Sequence, residues 1–188
     1  MSDSVSRAMG TVRRADFVPR DVRGHAHIDA PVPIGHGQTN SQPTTVRIML
    51  ELLDVRPGHR VLDLGAGSGW TTAILAQIVG PRGRVIGVER HESLISPARS
   101  ALEPYGGGHA EIRPAAPGVL GAPDDAPFDR ILVSAGAARL PSELTDQLAD
   151  GGVMVIPVDG VMLRALRSGD DIRVTSHGLF SFVPLVED

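Results

Sequence analysis

The chain contains no cysteine. That excludes disulfides, thiolate metal sites and cysteine nucleophiles, and it fits a reducing, cytoplasmic setting. No window approaches the roughly 20 consecutive apolar residues that a membrane-spanning helix needs. The opening MSDSVSRAMGTV also lacks the apolar stretch of a secretory signal. A run of basic residues is missing too. With 18 Lys and Arg against 22 Asp and Glu, the formal net charge is -4, which argues against a nucleic-acid footprint. There is no internal repeat, and GGGHA around Gly107 reads as a turn. What remains is an ordinary globular composition, 41% hydrophobic and 21% charged. At 188 residues it is expected to fold as one domain around a full core.

Within that domain, residues 1–56 and 57–188 differ in pattern. Ser2 to Val12 is expected to form a short helix with Val5, Met9 and Val12 on one face. Residues 17–40 mix prolines, glycines and histidines without periodicity and read as a long loop with one short extended piece. A loop of that length in a compact domain is either disordered or functional. Val46, Met49, Leu50 and Leu53 then follow the i, i+3, i+4, i+7 stripe of a core-facing helix. Ser41 stands as its expected N-cap and Pro43 in its first turn, and Pro57-Gly58 closes it. Beyond residue 57 strands and helices alternate. RVLDL (60–64), RVIGVE (84–89), AEIRP, DRILVS (129–134) and GGVMVIPV (151–158) are strands, with helices at 71–79, 92–102 and 142–148. The tail from Val161 to Val186 reads as an antiparallel pair. The expected fold is α/β, a mostly parallel central sheet with helices on both faces and an antiparallel C-terminal edge.

Ligands of such sheets bind at the carboxyl ends of the strands. The first strand here runs into Gly65-Ala66-Gly67-Ser68-Gly69, whose glycines let backbone N–H groups approach a ligand at the next helix's N-terminus. A dinucleotide fingerprint would need a third glycine at position 70, which is Trp70. The G-x-G-x-G spacing after Asp63 fits S-adenosylmethionine better. The next strand ends in Glu89, where a carboxylate accepts from both ribose hydroxyls and would repel a 2′-phosphate. Blander alternatives stay open: a tight turn without a ligand, Asp63 as a capping acid, Glu89 as a solvated strand end. His25 and His27 are two apart, but beyond Asp29 no histidine–carboxylate set accompanies them, so no metal is expected. Asp29 is expected to order the loop.

IDAPVPIGHGQTNSQP, LELLDVRPGHRVLDLGAGSGW, GRVIGVER, GVLGAPDDAPFDRILVSAGA, LADGGVMVIPV and FSFVPL occur in that order. Taken together they resemble the protein-L-isoaspartate O-methyltransferases over most of the chain. The resemblance implies an S-adenosylmethionine fold whose N-terminal segment and C-terminal strands, with Phe182 and Val183, close over a peptide carrying an isoaspartyl residue. It implies that Ser41 holds the acceptor carboxylate, with Thr39 and Asn40 beside it, and that Gln38 and Thr39 line the cofactor. Arg90, after Glu89, belongs to the same matched piece. The chemistry agrees, because a carboxylate is already an ionised nucleophile at pH 7 and needs orientation and dryness rather than a base.

The chain departs from the family pattern at three places. Asn40 stands where the family has a hydrophobe, and His27 where it has an aromatic. Ala116-Pro117-Gly118 replaces a G-D-G turn whose acid would accept from the adenine amino group. Losing one such bond costs about 0.5–1.5 kcal/mol, so weakened but surviving cofactor binding is expected. The departures keep two rivals in view: a homologue that methylates normal aspartates of one partner peptide, and a non-catalytic module that retains the fold. The oligomeric state is not legible in the sequence.

Overall fold

The computed structural model describes residues 3–186; Ser2, at the start of the first expected helix, lies outside them. Helix α1 (Asp3–Thr11) buries Val5 and Ala8 and is followed by a buried Val12. The 17–40 stretch holds more structure than an aperiodic sequence suggests. Two single 3-10 turns (Arg14–Phe17 and Arg23–His25) lead into a hairpin of β1 (Val32–Gly35) and β2 (Gln38–Asn40), with Val32 opposite Asn40. Strands this short carry no alternation to read. The chain reverses at Gly35, His36 and Gly37, all with positive φ (98°, 54° and 69°), which is why two of the three are glycine.

Helix α2 (Pro43–Leu53) buries Val46, Met49, Leu50 and Leu53, the stripe read from the sequence. Its N-cap position is Gln42, not Ser41. The capping group comes from a distance: Asp29 accepts from the Thr44 N–H at 2.8 Å, the Thr44 hydroxyl at 2.8 Å and the Gln42 amide at 3.1 Å. These donors hold the Asp29 carboxyl below its ordinary pKa, the Thr44 N–H first among them. Sequence spacing favoured Ser41 because capping is usually local.

The alternating half then builds β3 (Arg60–Leu64), α3 (Trp70–Val79), β4 (Arg84–Glu89), α4 (Glu92–Gly106), β5 (Ala110–Pro114) and β6 (Phe128–Val133). After α5 (Ser142–Thr145) come β7 (Leu148–Val158), β8 (Val161–Ser168) and β9 (Asp171–Leu179). The sheet order is β5-β4-β3-β6-β7-β8-β9, parallel from β5 to β7 and antiparallel across β7-β8-β9. The inner strands read as continuous hydrophobic runs because helices or loops cover both faces. Helix α4 runs four residues past the expected Leu102, the antiparallel pair ends at Leu179 rather than Val186, and a third boundary also differs. The last helix stops at Thr145 instead of reaching Leu148, because Leu148 already pairs with Phe128 and a register shift carries the strand past Gly151 to Val153. At Gly152 an added Cβ would lie 2.7 Å from the Ala149 carbonyl, so only glycine fits that bulge.

Candidate functional site

Chain order reverses across β3, whose neighbours are β4 on one side and β6 on the other. That switch point opens a crevice at the strands' carboxyl ends. There the structure has a cavity of about 770 Å³, within the range of small-molecule sites. Its floor is the glycine turn: Gly65, Ala66, Gly67 and Ser68 line it, and Gly65 and Gly67 have φ of 80° and 54°. Gly69, also expected at the ligand, lies behind the wall. At φ 86°, an added Cβ there would meet the Ile112 side chain at 2.8 Å, so this glycine serves the packing of α3 on the sheet.

Glu89 lines the cavity while only 4% exposed. One carboxylate oxygen accepts from the Gly67 N–H (2.8 Å) and the other from the His91 N–H (2.7 Å). Each oxygen keeps acceptor capacity for a hydroxyl, so the strand-end acid is held by the glycine turn and is not loosely solvated. Arg90 lies on the cavity wall beside it. Asp63 does not. Fully buried beneath the turn, it accepts from the Thr71 and Thr72 hydroxyls, each at 2.7 Å. Burial is the main reason its carboxyl is pushed up to about 6. Its other oxygen is buried without a partner among the described residues. Asp63 therefore ties the start of α3 to β3 through two hydroxyls; it neither lines the cavity nor caps the helix, whose N-cap is Gly69 without a side-chain cap bond.

Gln38, Thr39, Asn40 and Ser41 also line the cavity, as do Phe182 and Val183. The C-terminal segment is held there by Gly136, whose N–H donates to the Val183 carbonyl at 2.8 Å and whose carbonyl accepts from the Leu185 N–H at 2.8 Å. The hairpin tip is tied down separately. The His36 ring is 2.7 Å from the Ser93 hydroxyl and stacks on His91 with centroids 5.5 Å apart, joining β1-β2 to the start of α4. Pro117 and Gly118 are exposed and outside the wall; Ala115, Ala116, Val119 and Leu120 line the cavity there. His27 is likewise exposed and apart from it.

Two contributors escaped sequence reading. Ser134, after β6, lines the cavity because β6 adjoins β3; a lone serine at a strand end carries no signal. Arg14 is the other. It is 6% exposed, and its guanidinium donates to the Asn40 side-chain oxygen (2.6 Å) and to the carbonyls of Ile28 (2.9 Å), Ala30 (2.8 Å), Asn40 (3.1 Å) and Ser41 (3.0 Å). It also sits 5.4 Å from the Trp70 ring centre. Desolvation lowers the Arg14 pKa, opposed by the charge of Asp29.

Asn40 is turned toward Arg14 and the glycine turn: its amide donates to the Ser68 hydroxyl at 3.0 Å. Among the described residues no three His, Asp or Glu side chains gather as a metal site, and no helix is long and apolar enough to cross a membrane.

The family model for protein-L-isoaspartate(D-aspartate) O-methyltransferase (PCMT) matches residues 1–188. A protein-L-isoaspartate O-methyltransferase of Methanopyrus kandleri is 47% identical over 190 residues, covering 98% of this chain and 84% of the relative. The Aeropyrum pernix protein of the same name is 46% identical over 191 residues, covering 98% and 73%. Among solved structures, a Plasmodium falciparum protein-L-isoaspartate O-methyltransferase in complex with S-adenosyl-L-homocysteine superposes with a TM-score of 0.88. Its sequence identity is 27%, with coverage of 100% of this chain and 92% of that one.

Proposed function

The chain belongs to the protein-L-isoaspartate(D-aspartate) O-methyltransferase family, and from that membership we propose that it transfers the methyl group of S-adenosylmethionine to the free carboxylate of L-isoaspartyl residues in damaged proteins and peptides. The observation that carries the proposal is one cavity lined both by the glycine turn with Glu89 and by Ser41 with the C-terminal segment. The residues present fit the cofactor. Glu89 is prefixed by two backbone N–H groups and retains lone pairs for the ribose hydroxyls, and the positive-φ glycines open the backbone to a ligand.

When bound, S-adenosylmethionine supplies a sulfonium methyl, which an acceptor carboxylate oxygen takes as the S–C bond breaks and its electron pair stays on sulfur. No group of the protein needs to remove a proton. Ser41 donates a hydroxyl hydrogen bond that aims the acceptor oxygen. Phe182 and Val183 exclude water from the path. Gln38 and Thr39 complete the wall on the cofactor side. The cytoplasmic location expected from the composition is part of the proposal.

The rivals lose their motives. Asn40 is engaged by Arg14 and Ser68, so it is not free to read a different acceptor, and His27 stands apart from the cavity. Pro117 is exposed outside the wall, so it gives no reason to expect a silent module. A paired assay tests the proposal: an isoaspartyl peptide and its normal aspartyl twin, each incubated with S-adenosylmethionine. Methyl ester should form only on the isoaspartyl peptide. Equal or reversed preference overturns the substrate, and cofactor binding without turnover overturns the enzyme.

A further inference from the structure

We propose that Arg14 and Asn40 form a positioning relay, through which a ligand on the glycine turn orders the acceptor segment and Arg14 acts on the reaction through the main chain of Ser41. The identity of the two ends rests on the functional reading above.

The relay is a continuous set of hydrogen bonds between two walls of the cavity. Gly67 is fixed by Glu89, and its neighbour Ser68 accepts from the Asn40 amide at 3.0 Å. The Asn40 side-chain oxygen accepts from Arg14 at 2.6 Å, and Arg14 donates in turn to the Ser41 carbonyl at 3.0 Å. Arginine has no acceptor, so it dictates which end of the Asn40 amide faces it and leaves the NH₂ for Ser68. The same guanidinium holds the carbonyls of Ala26, Ile28 and Ala30, which lie outside the cavity wall.

Arg14 and Asn40 are 6% and 4% exposed, so water cannot replace a partner that moves away. Displacing Ser68 therefore disturbs the amide, the guanidinium and every carbonyl it holds together. A ligand that restrains the glycine turn restrains Ser41 by the same path. Binding free energies are reciprocal, so an acceptor at Ser41 tightens the cofactor by the factor by which the cofactor tightens the acceptor.

Hydrogen exchange on the full chain tests this with S-adenosylhomocysteine as the probe. In the wild type, saturating probe should slow exchange at residues 26–30 by about fivefold or more, the lower end of ordinary coupling. Asn40→Leu, with the same branching but neither hydrogen bond, should still protect residues 65–69 on binding and no longer protect 26–30. Ser68→Ala removes one half-buried hydroxyl, leaves the Arg14–Asn40 pair intact and should behave the same way. Leaving the Asn40 amide unsatisfied should lower Tm somewhat, yet kcat for isoaspartyl peptide should fall below that of an unrelated variant destabilised to the same Tm, which a purely structural role would not do.

A wild-type response retained in both variants, or absent from the wild type, overturns the relay. Exchange requires no acceptor, so the two readings fail separately. A protein that ignores isoaspartyl peptide but transmits protection to 26–30 refutes only the substrate. One that methylates it without transmission refutes only the relay.

Discussion

The glycine turn and the acceptor segment line one cavity, touch through Ser68 and Asn40, and are held in place by different means. The turn is secured by neighbours in the sheet: the Gly65 N–H donates to the Val88 carbonyl, Glu89 holds Gly67, and Asp63 pins the first turn of α3. The acceptor segment lies outside that sheet, and its only backbone frame is its own short hairpin with β1. It hangs from Arg14, some 26 residues upstream, and leads into a helix capped by Asp29, 15 residues before Thr44. A site formed at strand ends is built into the fold, whereas a wall laid over it must be tied down by side chains from elsewhere.

That difference decides what the sequence could disclose. G-x-G-x-G, the acid ending the next strand and the alternating hydrophobic runs all report on contacts made within one unit of the chain. Those elements were legible nearly to the residue. The hairpin at 32–40, the cap from Asp29 and the burial of Arg14 depend on which distant segments meet. An arginine in an unperiodic stretch looks like any solvated charge. Ser41 was found only through the family resemblance, and its capping role was assigned to it because local reasoning had no knowledge of Asp29.

Breaking the turn should have the largest effect. Gly69→Ala puts a Cβ 2.8 Å from Ile112 at a φ of 86° and should destabilise the protein by about 2–5 kcal/mol, backbone strain and overpacking together. Urea titration measures it, and a loss under 1 kcal/mol would mean the turn is looser than its geometry suggests.

The turn should also carry a pH signature that the acceptor segment lacks. Asp63 is raised from 3.8 to about 6, so the folded state holds a proton that the unfolded state has released in that window. Stability therefore falls as pH rises from about 4 to about 6, by roughly 3 kcal/mol in all. Asp63→Asn should lack this component; parallel pH–stability curves for the two proteins would argue against it.

Two alanines sharpen the contrast between the ends. Glu89→Ala should weaken S-adenosylhomocysteine binding by about 1.5–3 kcal/mol, read by calorimetry. Ser41→Ala should lower kcat by a comparable 10- to 150-fold while cofactor affinity and Tm stay level, because Ser41 caps no helix. An isoaspartyl peptide methylated at the wild-type rate by Ser41→Ala would remove the residue from the mechanism.

The smallest effect is expected at Pro117. If this turn met the adenine edge, Pro117→Asp would restore the missing bond and recover up to about tenfold in affinity. Its exposed position outside the wall predicts a change below about threefold instead. A tenfold gain would place the adenine edge at this turn after all.

The burial of Arg14 also bears on how the chain can be shortened or extended. Most strands and helices around the cofactor crevice begin after residue 57 and the others, β1, β2 and α2, after residue 31, so a protein trimmed past Phe17 would keep the residues of every one of them. It would lose the donor that gathers residues 26–41, together with the Tyr105 hydroxyl bond to Asp16 (2.7 Å) and the packing of Val12. Such a trimmed protein should lose stability along with methylation, because Val5, Ala8, Val12 and Phe17 share one core cluster with Trp70 and Ala73 of α3. Its opening helix, easily taken for a dispensable leader, is an unsafe place to cut.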